Sequence, residues 1–421
     1  MKYTITKSRL RGEILIPASK SHTIRAVAIA TMADGQSVLR NPLESADTRS
    51  AFRAAVEFGA RLKIQENKWI IDGIGGDISP VASYIDVANS GTTLRIFSAL
   101  ATLSSHLIYF DGDSSIRSRP MTPLLASLRN LGAITNALDD KCPFGISGPI
   151  RGGKTTINGI SSQFVTALLL TAPLAKADTE IVVENLHEKP YVEITLDWLK
   201  KQHISFEQEG LEWFKIKGRQ KYTPFDLEIP ADFSSATFAI CAAAITGSEV
   251  LIKGLDFNDH QGDKEVFNFL KQMGAVIEHK PDGVLVKGGE LKGIDIDMNN
   301  TPDALPALAV TACFAKGKTR LLNVAQARLK ECDRIKAATI ELAKMGAKIT
   351  ELENGMIIEQ SDLKGTSVHG YNDHRMVMAL TIAGMAAKGE TIVDTAEAVK
   401  ITYPSFYNDM EILGAKLNKI E

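Results

Sequence analysis

The sequence predicts an α/β protein of two domains, each with three β-α-β-α-β-β repeats whose helices are buried and whose sheets lie outside them, as in an inverse α/β barrel. One observation is a recurring segment in which a helix ends in Gly-Ala and two strands follow, as in EFGARLKIQENKWIIDG and AKMGAKITELENGMIIEQ. Such self-similarity indicates one structural unit used several times. The second observation is that helical stretches such as ATFAICAAAI are apolar on nearly every side, which is typical of enclosed helices.

Each copied helix is followed by a glycine that is well placed to end it. Glycine is favoured there because it adopts the left-handed conformation at no steric cost. These glycines are one or two repeats of about 70 residues apart. They are Gly59, Gly132, Gly274, Gly346 and Gly414.

The two ends of the chain complement each other. The last copy, EILGAKLNKIE, lacks its second strand, whereas the chain begins with one, MKYTITKS. Pairing these strands puts residues 1–15 with the last three repeats, so that the first domain is 16–229 and the second is 230–421. Each of the two crossings carries Ile-Pro-Ala, which predicts a rigid hinge pair and a motion that closes the domains.

Length and composition limit the possible functions. The chain has 421 residues, enough for two domains with full cores. Its formal net charge of −2 gives no overall positive potential that would attract nucleic acid or membranes. Its longest apolar runs, such as VTALLLTAPLA, are far shorter than the roughly 20 residues of a membrane span. The beginning of the chain lacks the apolar core of a signal peptide. We therefore expect a soluble, cytoplasmic, monomeric protein.

Several common chemical motifs are missing from the sequence. There is no phosphate loop, no dinucleotide fingerprint at a strand–helix junction, no H-E-x-x-H and no G-x-S-x-G. The four cysteines have no metal-ligand spacing. We expect neither a cofactor nor a metal.

Basic residues recur at the starts of predicted helices, where the positive end of the helix dipole disfavours cations. A single lysine or arginine there is most simply explained as solvated, but a recurring set suggests a bound anion, because helix N-termini and cations together suit phosphate and carboxylate groups. If like helix ends point one way, the set converges in the cleft between the domains. Its members are Lys20, Arg25, Arg119, Lys189, Lys330, Arg334, Arg375 and Lys400.

Two acidic residues, Asp303 and Glu331, interrupt this basic set at helix starts. Either one alone is commonly a cap or a dipole partner. Among cations, each carboxylate should stay ionised, and one within reach of a substrate hydroxyl could act as a general base. His374 adds a titratable donor beside Arg375, or else a structural hydrogen bond.

In this order, the chain carries the segments SKSHTIRA, NSGTTLR, RSRPM, SSQFVTALLLTAPLA, KPY, PDALPALAV, LKECDRI and NDHRMVMAL. With them it resembles the 5-enolpyruvylshikimate-3-phosphate synthase family over essentially its whole length. The resemblance implies the two-domain fold of six repeats. It also implies transfer of the enolpyruvyl group of phosphoenolpyruvate to the 5-hydroxyl of shikimate 3-phosphate, with release of phosphate.

The resemblance also implies a role for each matching residue. Those matching shikimate 3-phosphate contacts are Lys20, Ser21, Arg25, Ser161, Ser162, Gln163, Tyr191 and Lys330. Those matching phosphoenolpyruvate contacts are Lys20, Gly91, Thr92, Arg119, Arg334, Arg375 and Lys400. Asp303 matches the base that takes the proton of the 5-hydroxyl, and Glu331 and Lys400 match the candidates for proton delivery to the methylene carbon. We count Asp303, Glu331, Lys20, Lys400 and His374 as the catalytic set.

The chain departs from the family pattern at four positions. Glu188 stands where the family usually has a serine that contacts phosphate, and because a carboxylate would repel that phosphate we leave Glu188 out of the site. Gln326 replaces an asparagine and could still donate a hydrogen bond. Ala18 and Ala88 replace glycines, which leaves the geometry of these two turns open.

Two other functions compete with this interpretation. The sister transferase that acts on UDP-N-acetylglucosamine shares the fold, but its family has a loop cysteine that is missing from DGDSSIRSRPM. A non-catalytic phosphometabolite-binding protein would need the cations but not Asp303 and Glu331 together. Release of phosphate from phosphoenolpyruvate on adding each acceptor discriminates among the three.

Overall fold

The computed structural model describes all 421 residues, and they form two compact units. Unit 1 comprises Met1–Pro17 and Pro230–Glu421, and unit 2 comprises Ala18–Ile229. Unit 1 begins with two strands, β1 (Lys2–Thr6) and β2 (Arg11–Leu15).

Unit 2 contains seven helices and twelve strands. The helices are α1 (Lys20–Met32), α2 (Ala46–Glu57), α3 (Gly91–Ala101), α4 (Ser114–Ser118), α5 (Thr122–Asn130), α6 (Ser162–Thr171) and α7 (Lys189–Lys201). The strands are β3 (Gln36–Arg40), β4 (Arg61–Gln65), β5 (Lys68–Asp72), β6 (Tyr84–Asp86), β7 (Ile108–Asp111), β8 (Ile134–Ala137), β9 (Phe144–Ser147), β10 (Gly153–Asn158), β11 (Thr179–Glu184), β12 (Phe206–Glu209), β13 (Trp213–Ile216) and β14 (Asp226–Glu228).

The rest of unit 1 has the same kinds of element. Its helices are α8 (Phe233–Ile245), α9 (Glu265–Met273), α10 (Leu305–Cys313), α11 (Arg334–Lys344), α12 (His374–Ala386) and α13 (Phe406–Ile412). Its strands are β15 (Glu249–Lys253), β16 (Val276–Lys280), β17 (Gly283–Lys287), β18 (Asp295–Asp297), β19 (Lys318–Leu322), β20 (Lys348–Leu352), β21 (Gly355–Glu359), β22 (Ser367–Val368), β23 (Thr391–Val393) and β24 (Lys416–Ile420). Short 3₁₀ turns cover Ala172–Leu174, Gly262–Lys264, Pro302–Ala304, Ala325–Leu329 and Ala396–Ile401.

The strands form six four-stranded sheets, three in each unit, which confirms the predicted number of repeats. In each sheet a parallel pair is joined to antiparallel partners, as where β10 lies parallel to β11 and β11 lies antiparallel to β13. A parallel pair needs a crossover connection, and a central helix such as α6 supplies it. The strand orders are β14-β3-β5-β4, β6-β7-β9-β8 and β10-β11-β13-β12 in unit 2, and β2-β15-β17-β16, β18-β19-β21-β20 and β22-β23-β1-β24 in unit 1.

The ends of the chain close unit 1 as the sequence predicts, since β1 pairs antiparallel with β24, with Lys2 opposite Ile420. The repeat pattern did not predict an exchange of first strands. The strand before α1, β2, pairs parallel with β15 of the fourth repeat, and β14 pairs parallel with β3 of the first repeat. The first repeat of each unit is therefore completed by a strand from a distant part of the chain.

The central helices are enclosed, as their apolar composition predicts. Every residue of α3 is buried, and so is every residue of α8 except the last. The repeat glycines all have left-handed backbones, with φ between +93° and +111°, which confirms their role in ending helices.

The N-termini of the central helices are capped by side chains. Ser19, Ser90, Ser161, Asp232 and Asp373 each accept a backbone N–H at the start of α1, α3, α6, α8 and α12. Four predicted site residues begin these helices, namely Lys20 of α1, Gly91 of α3, Ser162 of α6 and His374 of α12.

Candidate active site

Lys20 begins α1, and its ammonium is held by an acidic partner. Its Nζ lies 3.3 Å from Oδ2 of Asp47, and both side chains are largely buried. Asp47 belongs to the first turn of α2, where the helix dipole favours an acid. The ion pair therefore holds the Lys20 ammonium at the start of α1 through a single acidic partner.

Arg25 lies one turn farther along α1 and is almost completely buried. Its Nε and Nη2 donate to Thr195 and Thr166, Nη2 also donates to the carbonyl of Tyr191, and Nη1 donates to the carbonyl of Ser21. Burial lowers the pKa of Arg25 to about 10, so it stays charged at neutral pH. Four of its five N–H groups hold the helices together, which leaves one N–H of Nη1 for a ligand.

Two further arginines meet at the start of α3. A Cβ atom added to Gly91 would overlap Nη1 of both Arg95 and Arg119, so the two guanidinium groups lie directly against this glycine. Thr92 is the next residue of the same turn and is buried. Arg119 is positioned by donating to Oγ of Ser115 at 2.9 Å. Gly91 is therefore needed because the cations approach its backbone closely.

The sequence analysis did not single out Arg95, although it ends the segment NSGTTLR. Its Nη1 donates to Oε1 of Gln163 at 3.0 Å, and its guanidinium stacks 5.5 Å from the ring centre of Phe164. The signal that could have found it is its spacing four residues after Gly91, which places both on one helix face.

The start of α6 is formed by Ser161, Ser162 and Gln163. Their side chains make different hydrogen bonds. Oγ of Ser161 accepts the backbone N–H of Gln163. Oγ of Ser162 donates to Oε2 of Glu188 at 2.7 Å. Tyr191, half-buried in the first turn of α7, contributes a carbonyl oxygen to Arg25. The structure thus joins the predicted residues of α1, α3, α6 and α7 through hydrogen bonds within unit 2.

One predicted cation of unit 2 behaves as an ordinary surface residue. Lys189 is exposed and lies 3.7 Å from Glu212 across an exposed ion pair. The expectation that it belongs to the anion-binding set was wrong for this residue, because solvent and Glu212 already account for its charge.

In unit 1, Asp303 is held by arginines on both of its oxygens. Oδ1 lies 2.7 Å from Nη1 of Arg334, and Oδ2 lies 2.9 Å from Nη2 of Arg375. Both arginines are almost fully buried, and Nζ of Lys330 is a more distant 4.0 Å from Oδ1. The predicted acid and three of the predicted cations therefore form one cluster.

Arg334 is the centre of that cluster. Besides Asp303, it pairs with Oδ2 of Asp373 at 2.8 Å and with Oε2 of Glu331 at 2.5 Å. Burial alone would lower the pKa of Arg334, but the charges of these three carboxylates outweigh it and raise that pKa well above its usual value.

His374 begins α12 and is buried beside Asp373, with Nδ1 3.9 Å from Oδ1 of that acid. Neither ring nitrogen has a hydrogen-bond partner. Burial lowers the pKa of His374 to about 3. This corrects the expectation of a titratable group: at neutral pH the ring is neutral and can only donate or accept a hydrogen bond.

Lys400 lies in the 3₁₀ turn Ala396–Ile401 with an exposed side chain that makes no hydrogen bond or ion pair. Gln326 is buried and donates from Nε2 to the carbonyl of Asn299, so one of its two amide protons is used within unit 1. Of the two alanines at family glycine positions, Ala88 has the left-handed φ of +51°, whereas Ala18 has no positive φ.

Asp263 is a second acid near Asp303 that the sequence analysis missed, although it lies at a predicted helix start, QGDKEV. It is buried, Oδ2 accepts from Oγ of Ser234, and Oδ1 has no partner. Burial raises the pKa of Asp263 to about 7, with the charge of Asp303 adding to the effect and that of Arg375 opposing it. Because its ionisation depends on tertiary burial, the sequence pattern alone could not reveal this group.

No group of three or more His, Cys, Asp or Glu side chains is arranged to hold a metal ion. No helix has both the length and the apolar character that crossing a bilayer requires.

Comparison with known proteins gives consistent matches. Residues 5–410 match the family model of EPSP synthase (3-phosphoshikimate 1-carboxyvinyltransferase). A protein of Acetivibrio thermocellus named 3-phosphoshikimate 1-carboxyvinyltransferase is 46% identical over 423 residues, covering 100% of both chains. One of Methanocaldococcus jannaschii with the same name is 44% identical over 419 residues, covering 97% of each. An EPSP synthase structure from Acinetobacter baumannii superposes with a TM-score of 0.83 at 26% identity, covering 99% of both chains.

These matches extend over nearly the whole chain, and they agree with the six repeats. The predicted fold class and the resemblance carried by the sequence motifs are thereby confirmed: the chain belongs to the EPSP synthase family.

Proposed function

We infer that this chain is a transferase that moves the enolpyruvyl group of phosphoenolpyruvate to the 5-hydroxyl of shikimate 3-phosphate, releasing phosphate, in the biosynthesis of aromatic amino acids. Family membership supports the reaction. The observation that supports the chemistry is Asp303, an acid whose two oxygens are each bound by a buried arginine. Such a carboxylate is ionised and can accept a proton.

We assign the shikimate 3-phosphate contacts to a group in unit 2 and to Lys330. Arg25 has one free N–H, and the hydroxyl proton of Ser161 makes no hydrogen bond, so both can donate to the ligand. The full assigned set is Lys20, Ser21, Arg25, Ser161, Ser162, Gln163, Tyr191 and Lys330.

We propose that phosphoenolpyruvate is bound mainly by arginine side chains. Its further contacts are Lys20, Gly91, Thr92 and Lys400. Arg119 and Arg375 come from the predicted set, and Arg95 joins them because its guanidinium lies with that of Arg119 against Gly91. Arginines bind phosphate and carboxylate oxygens with paired N–H donors, so they can neutralise this ligand.

The two arginines of unit 1 link ligand binding to the base. Arg334 and Arg375 both pair with Asp303. We propose that the charged groups of phosphoenolpyruvate compete for these guanidinium groups. Asp303 would then lose part of its ionic stabilisation and become a stronger base, because loss of an opposite charge raises the pKa of a carboxyl group.

The proposed reaction follows in two steps. A proton is added to the methylene carbon of phosphoenolpyruvate, the 5-hydroxyl oxygen bonds to the adjacent C2, and the hydroxyl proton passes to Asp303. The resulting tetrahedral ketal then returns a methyl proton to the group that donated the first proton and expels phosphate, which takes up the proton held by Asp303, and the enol double bond is restored. Asp303 acts as general base for the hydroxyl.

Lys400 and Glu331 are the candidates for delivering the first proton. Glu331 is bound to Arg334 at 2.5 Å, a contact that favours its ionised form and so leaves it no proton to give. Lys400 is exposed and makes no ion pair. We therefore favour Lys400 as the donor and Glu331 as an acid that positions Arg334.

A phosphate-release assay tests the proposed function. Purified protein is incubated with phosphoenolpyruvate and either shikimate 3-phosphate or UDP-N-acetylglucosamine, and released phosphate is measured. We expect release with shikimate 3-phosphate alone. Release only with the sugar nucleotide would assign the sister activity, and no release with either acceptor would leave a binding protein.

We also propose that the protein is a monomer and works in the cytoplasm, where both phosphorylated substrates are metabolic intermediates.

A further inference from the structure

Glu188 and Ser162 form a buried pair at the start of α6. Oγ of Ser162 donates to Oε2 of Glu188 at 2.7 Å, and the two residues are only 1% and 2% exposed. Glu188 precedes α7 directly and has the left-handed φ of +57°, which a glutamate adopts only where its surroundings hold it. The contact is therefore a built feature of the fold.

The direction of this hydrogen bond decides what Ser162 can offer a ligand. An ionised carboxylate can only accept, so the single hydroxyl proton of Ser162 is committed to Glu188. Ser162 is then left with acceptor positions, whereas a phosphate dianion needs donors. Ser161 differs, because its Oγ accepts the N–H of Gln163 and its own proton makes no hydrogen bond.

Glu188 also occupies a favourable electrostatic position for an anion. It is the N-cap residue of α7, and its carboxylate reaches the first residue of α6. The positive ends of two helices of 13 and 10 residues therefore already have a negative charge beside them. A phosphate bound there would meet the like charge and would share the field that the helices provide.

We propose that Glu188 is a specificity-determining residue of the shikimate 3-phosphate site, which withholds the Ser162 proton and part of the helix field from the phosphate. The phosphate is then held by Ser161 and the cations, and the preference for the phosphorylated acceptor over unphosphorylated shikimate is reduced. This inference rests on the proposed function, since it presumes that Ser161 and Ser162 face the substrate phosphate.

The first measurement compares the dissociation constants of shikimate 3-phosphate and shikimate by titration calorimetry. Glu188→Ala removes the charge and frees the Ser162 proton. A hydrogen bond to a charged group contributes enough to tighten shikimate 3-phosphate binding about tenfold in this variant. Shikimate, which lacks the phosphate, should bind within about twofold of the original protein. Glu188→Gln removes only the charge and keeps an acceptor for Ser162, so we expect an intermediate gain.

A double-mutant cycle isolates the Ser162 proton. Ser162→Ala should weaken the affinity for shikimate 3-phosphate about tenfold more in the Glu188→Ala background than in the original protein. Ser161→Ala is the matched control, since its proton is free in both backgrounds and its effect should be the same in each.

The possible outcomes separate this inference from the proposed function. Equal effects of Ser162→Ala in both backgrounds, or equal changes for shikimate and its phosphate, would overturn the role of Glu188 while leaving the proposed function intact. A purely structural role would lower the thermal unfolding midpoint of Glu188→Ala and leave the ratio of the two affinities unchanged. No saturable binding of shikimate 3-phosphate by any variant would overturn both.

Discussion

Asp303 and Arg334 form a 2.7 Å ion pair in which the guanidinium is 1% exposed and serves two other carboxylates. The arginine begins α11, and Asp373, one of its partners, caps α12, so the cluster ties two repeats of unit 1 together. One buried cation thus holds a candidate base in place and links neighbouring helices.

Replacing the base tests the catalytic half of this relationship. Asp303→Asn keeps the size of the side chain but removes its ability to accept a proton, so we expect kcat to fall by a factor of about 10² to 10⁴. The dissociation constant of shikimate 3-phosphate, measured by calorimetry, should change little. The matched control is Asp295→Asn, which alters an exposed acid paired with Arg320 and should leave kcat as it was.

Replacing the arginine tests the structural half. Arg334→Ala leaves Asp303, Glu331 and Asp373 without their shared cation, and breaking a buried ion pair in this way costs about 3–5 kcal/mol. The free energy of unfolding in urea should fall by this amount. The control is Arg320→Ala, which breaks an exposed pair with Asp295 and should cost about 1 kcal/mol or less. Similar losses in the two variants would contradict the special role of the buried cluster.

Asp263 predicts a pH dependence of stability. Because burial and the charge of Asp303 raise its pKa from 3.8 to about 7, the unfolded chain loses this proton at lower pH than the folded chain does. The folded state therefore binds more protons in this window, and stability is lost as the pH rises from about 4 to about 7. Asp263→Asn removes the effect, so its stability relative to the original protein should rise between pH 5 and pH 8 by an amount on the order of 2 kcal/mol.

Urea unfolding at the two pH values measures this difference. Asp362→Asn is the control, because the hydrogen bond from Lys388 lowers the pKa of Asp362 and keeps it ionised throughout the range. A relative stability of Asp263→Asn that stays constant between pH 5 and pH 8 would mean that Asp263 is already ionised at the lower pH.

Gly91 predicts a defect limited to phosphoenolpyruvate. Its φ is not in the left-handed region, so alanine is compatible with the backbone, but the new methyl group would overlap Nη1 of both Arg95 and Arg119. The displaced guanidinium groups should raise KM for phosphoenolpyruvate at least about tenfold, since small misplacements of binding groups have large kinetic effects. KM for shikimate 3-phosphate should stay close to its original value. An equal rise in both KM values would contradict the assignment of Arg95 and Arg119 to phosphoenolpyruvate.

The sequence predicted the features that depend on local pattern. The repeat glycines were found because a glycine recurs after each copied helix, where its left-handed φ helps to end the helix, and the β1–β24 pairing followed from an incomplete last repeat. The parallel partners of β2 and β14 were not predicted. Strand β2 has five residues and β14 has three, and neither sequence encodes a distant partner.

The candidate site was predictable by residue type but not by protonation state or pairing. The basic residues at helix starts stood out as a recurring set, whereas Arg95 and Asp263 acquire their surroundings only when separate helices pack. The neutrality of His374 has the same origin, since burial lowers its pKa and burial is a tertiary property. Charge patterns therefore indicated candidate residues, whereas the ionisation of such residues depends on packing.

The final prediction concerns the source of the proton for the methylene carbon. If Lys400 donates it, Lys400→Met should abolish the exchange of methylene hydrogens of phosphoenolpyruvate with deuterated water during turnover, and should lower kcat by about 10² or more. Glu331→Gln should retain exchange, because the amide still accepts a hydrogen bond from Arg334, and should act mainly through KM for phosphoenolpyruvate. Mass spectrometry of recovered phosphoenolpyruvate and product measures the exchange, with Lys189→Met as the surface control. Loss of exchange in Glu331→Gln but not in Lys400→Met would assign the donor to Glu331, and would require that ligand binding first separates this acid from Arg334.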